Sequence, residues 1–233
     1  MRDEVYSPTS MSAAGQNALL RSVYNWMMLG LFTSAGAAYI TIHSETMMQL
    51  LFGNSYMLWV LLIAELGLVF AISGAVKSMT AATASILFML FSALNGLTLS
   101  SILLIYTAQS ITSTFLITGL TFGATSFYGY VTKKDLTSWG HFLFMGLIGI
   151  IIAAVVNIFW QNSMFDLMIS FIGIIIFVGL TAYDTQKIRR LGEEIGAQDG
   201  EAFGKIAIIG ALSLYLDFVN LFLMLLRFFG REK

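Results

Sequence analysis

Seven uninterrupted apolar runs, each about 20 residues long, dictate what this chain of 233 residues can become. They fall at Ser22–Ile42, Tyr56–Val76, Ala81–Ile105, Ile111–Val131, His141–Trp160, Met164–Tyr183 and Ile206–Arg227. At about 1.5 Å of helical rise per residue, each matches a hydrocarbon layer about 30 Å thick. The runs are continuous rather than alternating and are twice the length of a barrel strand, so helices are expected. Only 11% of residues are charged, against about 25% in soluble domains, and 58% are hydrophobic. A water-facing exterior cannot be made from such a chain. The expected fold is all-α: a polytopic membrane protein with one seven-helix transmembrane domain over residues 22–230, facing the lipid bilayer, after a disordered tail at 1–21. The first run is not read as a signal peptide, because Asp3 and Glu4 dilute the positive charge that precedes it.

Cations mark the expected orientation. Arg2 and Arg21 precede the first run, Lys77 follows the second, Lys133 and Lys134 the fourth, and Lys187, Arg189, Arg190 and Lys205 the sixth. The first, third and fifth connections carry none. Lys and Arg are retained in the cytoplasm, which predicts a cytoplasmic N-terminus. Arg227, Arg231 and Lys233 then sit on the wrong side for seven crossings, unless the last span does not cross fully. The polar stretch Thr185–Gly204 reads as a mobile cytoplasmic loop.

Composition excludes several chemistries. A net charge of −1 leaves no basic stripe for nucleic acid. The absence of cysteine removes disulfides, thiolate metal sites and thiol nucleophiles, and two histidines, His43 and His141, cannot make a zinc centre. Trp59, Trp139 and Trp160 mark membrane interfaces, and Gly119 and Gly123 form a GxxxG pattern expected to pack helices closely.

The charges inside the runs carry the functional signal. Asp184 closes the sixth run and Asp217 lies within the seventh, and a carboxylate at membrane depth costs several kcal/mol, roughly 3 or more, unless it finds a partner, a cation, water or a proton. Counted from Lys77 and Lys205, Glu65 and Asp217 lie about 18 Å from the cytoplasmic edge, and Asp184, four residues before Ile188, lies about 6 Å deep. Contact between the aspartates therefore requires a deeper sixth helix or a tilted seventh. If they meet, both cannot be ionised together in a low dielectric, and they would exchange protons in coupled steps. Bare carboxylate oxygens suit Ca²⁺, and two of them make a weak site of the kind an ion passes through. The alternative is a packing role, each acid neutral and bonded to Asn95, Asn157, Asn220, Tyr183 or Tyr215. Glu65 is expected to pair with Arg227.

The strings Phe-Val-Gly-Leu-Thr-Ala-Tyr-Asp184-Thr-Gln-Lys-Ile and Gly-Ala-Leu-Ser-Leu-Tyr-Leu-Asp217-Phe-Val-Asn-Leu-Phe-Leu-Met-Leu-Leu-Arg227 closely resemble the last two spans of the Bax inhibitor-1 (TMBIM) family, in its bacterial branch. Ser92-Ala-Leu-Asn-Gly-Leu-Thr-Leu-Ser-Ser and Tyr128-Gly-Tyr-Val-Thr-Lys-Lys-Asp-Leu are similar to segments of its third and fourth spans. The resemblance implies three helical hairpins around a central last helix, in the bacterial inner membrane. It also implies a pH-sensitive calcium leak governed by a di-aspartyl sensor at Asp184 and Asp217, with Glu65 and Arg227 near the pore. Where bacterial relatives have an arginine latch this chain has Val76 and Lys77, which leaves Lys77 as the substitute. No cofactor and no enzymatic activity are implied; Ca²⁺ and protons are the expected small partners, beside the bilayer and other membrane proteins.

Three other functions compete with a leak. A regulatory membrane protein acting through partners would need no pathway of its own. An exchanger would use the acids as relays, although no paired Gly/Pro-broken helices announce alternating access. An intramembrane aspartyl protease also sets two acids on successive helices, but Leu214-Tyr-Leu-Asp217 stands where a Gly-x-Gly-Asp is needed, and the only proline is Pro8.

Overall fold

The computed structural model describes residues 8–76, 78–195 and 200–233. Eight helices follow one another: α1 (Pro8–Ile42), α2 (Glu45–Phe52), α3 (Ser55–Ala75), α4 (Ala81–Ile105), α5 (Ala108–Val131), α6 (Thr137–Trp160), α7 (Ser163–Ile195) and α8 (Gly200–Phe229). The protein is an all-α, polytopic membrane protein. Five of the helices, α3, α4, α6, α7 and α8, are long and apolar enough to cross a bilayer. α8 is the most enclosed of them: 67% of its apolar window is buried, against 17–39% in the other four. Phe159, Leu120 and Phe70 are at least 73% exposed, which only a lipid surround makes tolerable.

Two compact units share these helices: residues up to Leu104 with Ile188–Leu212, and Ile105–Lys187 with Ser213–Lys233. In the first, α4 buries Ala84, Phe88, Phe91, Ser92, Gly96 and Ser100, a spacing of three and four that draws one stripe along the helix. Gly96 lies against the backbone of Ser34, whose hydroxyl donates to the Ser92 carbonyl at 2.7 Å. That approach is open only to a residue without a Cβ. Ser44 caps α2, its hydroxyl accepting from the Met47 amide, and Asn54 accepts from the Tyr56 amide at the start of α3.

In the second unit α5 buries Thr114, Thr118, Phe122, Ser126 and Gly129, again one stripe. Leu143, Ile150, Ile169, Ile176, Phe177, Leu180, Leu221 and Leu225 form its apolar core. Phe218 receives the ring edges of Phe115 and Phe122 at 5.4 and 5.5 Å. After α8 the chain runs beside the α4–α5 connection: the Thr107 amide donates to the Arg231 carbonyl at 3.1 Å and the Lys233 amide to the Ile105 carbonyl at 2.9 Å.

Three expectations change. α1 is helical from Pro8, so a disordered tail reaching residue 21 is not what forms, and residues 1–7 lie outside the described residues. The expected loop Thr185–Gly204 is mostly helix, because α7 continues to Ile195 and α8 begins at Gly200. Its charges act as i,i+4 pairs, Arg189 with Glu193 at 3.9 Å and Lys205 with Glu201 at 3.8 Å, which support helices rather than interrupt them. Finally, a Cβ added to Gly119 or Gly123 would meet nothing within 4 Å, so these glycines do not make the close approach. That role falls to Gly129, six residues further along α5, which lies against the backbone of Ala182.

Candidate functional site

Asp184 and Asp217 belong to the second unit, on α7 and α8. A Cβ on Gly173 would lie 2.9 Å from the sulfur of Met224, which fixes the pairing of these two helices. Eleven residues on from Gly173 is Asp184, and eleven back from Met224 is Ser213, about one turn past Asp217. The axial offset of the two acids is therefore about 6 Å, half of the 12 Å that counting from the flanking lysines implied. The count placed Asp184 at the edge because it took the helix to end there. Instead α7 carries on for three further turns.

The two carboxyl groups interact electrostatically. Asp217 is only 5% exposed, and its Oδ2 has no hydrogen-bond partner. Around it on α8 are Leu214, Tyr215, Phe218 and Leu221, all buried and mostly apolar. Asp184 is half-buried and also feels the charge of Lys187, one turn on, whose ammonium lies 5.9 Å from the centre of the Tyr183 ring. Next to Asp184 in the chain, the buried Thr185 bonds through its hydroxyl to the Ser126 hydroxyl at 3.2 Å and to the Thr181 carbonyl at 2.8 Å. A buried carboxylate oxygen without a donor is costly, so this arrangement calls for a proton, a cation or a water beside it. Among the described residues, no three His, Cys, Asp or Glu side chains gather into a metal cage.

Packing holds α7 in this place. Gly129 and Gly140 let α5 and α6 approach it, the first at Ala182 and the second at the Tyr183 ring, where an added Cβ would come within 2.5 Å. Gln186 then ties α7 to the α5–α6 connection, its Nε2 donating to the Lys134 carbonyl at 2.8 Å and its Oε1 accepting from the Leu136 amide at 2.9 Å. Sequence reading did not single out Gln186 or Ser126. An amide two residues beyond the acidic end of an apolar run was the available signal.

The other expected pair takes different partners. Glu65, 7% exposed on α3, accepts from Asn95 Nδ2 at 2.9 Å and from Thr98 Oγ1 at 2.5 Å, both on α4. Arg227 instead makes its ion pair with Asp166, Nη1 to Oδ1 at 3.0 Å, and Asn157 donates to the same oxygen at 3.4 Å. A salt bridge of Glu65 with Arg227 is thus replaced by a hydrogen-bonded carboxylate in one unit and a partly exposed ion pair in the other. Asp166, in the first turn of α7, was overlooked because it stands at an expected span end. Lys77 lies outside the described residues.

Residues 16–233 match the family model described as inhibitor of apoptosis-promoting Bax1. The chain is 49% identical over 220 residues to the inner membrane protein YbhL of Escherichia coli K12, covering 94% of each chain. It is 46% identical over 218 residues to an uncharacterized protein of Borreliella burgdorferi, again with 94% of each covered. An uncharacterized membrane protein of Streptococcus pyogenes serotype M6 is 37% identical over 225 residues, covering 96% of each.

Proposed function

The chain belongs to the family of inhibitors of apoptosis-promoting Bax1, and we propose that it is a passive, pH-sensitive calcium leak of the bacterial inner membrane, gated by Asp184 and Asp217. The observation that carries this reading is the unpartnered carboxylate oxygen of Asp217, buried within the electrostatic reach of Asp184. Such a pair has three states with different demands. With one shared proton it is a clasp between α7 and α8 that carries a single negative charge. With none, two negative charges repel across a low dielectric and need a cation. With two protons it has no use for a cation at all.

Ca²⁺ is the ion the chemistry favours, since it accepts oxygen ligands in loose geometry. Two carboxylates and nearby hydroxyls bind it weakly, and a leak requires an ion to leave as readily as it arrives. Movement of α7 against α8 is the natural gating motion. Lys187, one turn further along α7, adds a cation beside the pair. Glu65, held by Asn95 and Thr98, is assigned to the pathway as a third carboxylate for a passing cation. The N-terminus is assigned to the cytoplasm on the distribution of Lys and Arg.

Purified protein in liposomes loaded with a calcium-sensitive dye tests the reading. Calcium should enter down its gradient without a counter-ion, at a rate that depends on pH. Asp184→Asn and Asp217→Asn should each flatten that dependence. Folded protein that leaves the liposomes silent at every pH would sink the proposal.

A further inference from the structure

A cavity of about 360 Å³ opens in the second unit between α5, α6 and α7, and neither aspartate lines it. Its floor is Leu143, Gly179 and Ala182, and its rim Tyr128, Trp139 and Lys134, with Asp135 and Leu136 between them. The floor is apolar and the rim amphipathic. The rim residues are exposed, Trp139 by 63% and Tyr128 by 48%. Amphipathic rings of this kind settle where acyl chains give way to headgroups.

The two charges at the rim differ in what they already do. Asp135 is engaged: its Oδ1 accepts from the Thr137 amide at 2.9 Å and from the Thr137 hydroxyl at 2.7 Å, at the positive end of α6. Lys134 uses only its backbone, the amide toward Thr132 and the carbonyl toward Gln186, and its ammonium has no partner among the described residues. A cation over an apolar groove, flanked by interfacial rings, calls for an anion attached to hydrocarbon. A soluble anion would gain nothing from Leu143 or Leu136.

We infer that this cavity is a phospholipid site, in which the phosphodiester sits against Lys134 between Tyr128 and Trp139, and an acyl chain follows the groove over Leu143, Gly179 and Ala182. A volume of 360 Å³ holds the glycerophosphate and the first carbons of a chain, with the remainder in the bilayer. Gly179 keeps the groove open, because a side chain there would run into Leu143. The site is fastened to the helix that carries Asp184: Gln186 clasps the backbone on both sides of Asp135, so a lipid seated at Lys134 braces α7 directly. Binding itself does not depend on the protein being a leak.

The test uses full-length protein in detergent, stripped of lipid and titrated with phosphatidylglycerol or phosphatidylethanolamine, with bound lipid counted by native mass spectrometry. Inorganic phosphate and glycerol phosphate are added in separate competition arms. One lipid per chain should bind more tightly than the rest. Lys134→Gln should weaken that first event roughly three- to tenfold, the loss of one partly solvated charge-assisted contact. Trp139→Ala, which keeps the charge, should weaken it as well, while Lys133→Gln should change it less than about twofold. Unfolding temperatures of the three variants verify that each is folded. Unchanged binding in folded Lys134→Gln or Trp139→Ala, an equal effect of Lys133→Gln, or displacement by inorganic phosphate at matching concentration would each overturn the inference.

Discussion

Gly129→Ala, compared with Gly123→Ala, isolates the contact that sets α7 beside α5. A Cβ at position 129 would stand 3.0 Å from both the Cα and the carbonyl carbon of Ala182 and closer still to its oxygen. These are backbone atoms, which no rotamer change can move. Restoring ordinary contact requires the helices to part by about 0.5–1 Å, an overpacking cost of roughly 1–3 kcal/mol. The 3.2 Å bond from Thr185 to Ser126, one turn away, is stretched in the same movement and adds at most about 1 kcal/mol. Both substitutions gain about 1 kcal/mol of helix propensity, since alanine replaces a helical glycine. At Gly123, where nothing lies within 4 Å, that gain stands alone. The difference between the variants cancels propensity and leaves the clash, about 2–3 kcal/mol. For a chain of this size that is a gap of roughly 5–10 °C in unfolding temperature. Thermal unfolding in detergent measures it, and the same proteoliposome assay tells whether a displaced α7 alters calcium entry. If the two variants melt together, the packing described for α5 and α7 is wrong, and with it the positioning of Asp184.

Glu65→Leu should cost about 1–2 kcal/mol in a denaturant or thermal series, because the half-buried Asn95 and Thr98 lose the carboxylate they donate to, whereas Glu65→Gln keeps an acceptor for Thr98 and should cost about half as much. In the leak assay Glu65→Gln should change flux more than Glu45→Gln, at the polar start of α2; equal effects would remove Glu65 from the pathway. Tyr106, in the connection after α4, has its phenol held above the usual tyrosine range, first by burial and then by the nearby Glu232 carboxylate. A raised value means that its contribution to stability is complete below the ordinary tyrosine pKa of about 10 and fades as pH climbs through the raised one. Absorbance titration of the protein against Tyr106→Phe should reveal one late-titrating phenol, and a Tyr106 that ionises with the free amino acid would contradict its packing against Gly230.

The apolar runs were enough to prescribe helices, because a backbone in lipid must satisfy its own hydrogen bonds, and every expected span has a helix over it. They prescribed the stripes as well: Ala84, Phe88, Phe91 and Gly96 repeat at the helical period, whatever they face. Asp184 and Asp217 stood out for a local reason, the expense of charge among apolar neighbours, which needs no knowledge of the fold. Partners were another matter. Glu65 and Arg227 looked complementary, yet Asn95 and Thr98 claim one and Asp166 the other, since contact depends on how helices are rotated and staggered. Gly123 and Gly129 are alike as residues, and only the approach of Ala182 makes one of them indispensable. A chain read in order contains each helix's rise and period, but the stagger between helices is settled by which side chains interlock. That stagger leaves Asp217 about one turn from the level of Asp184.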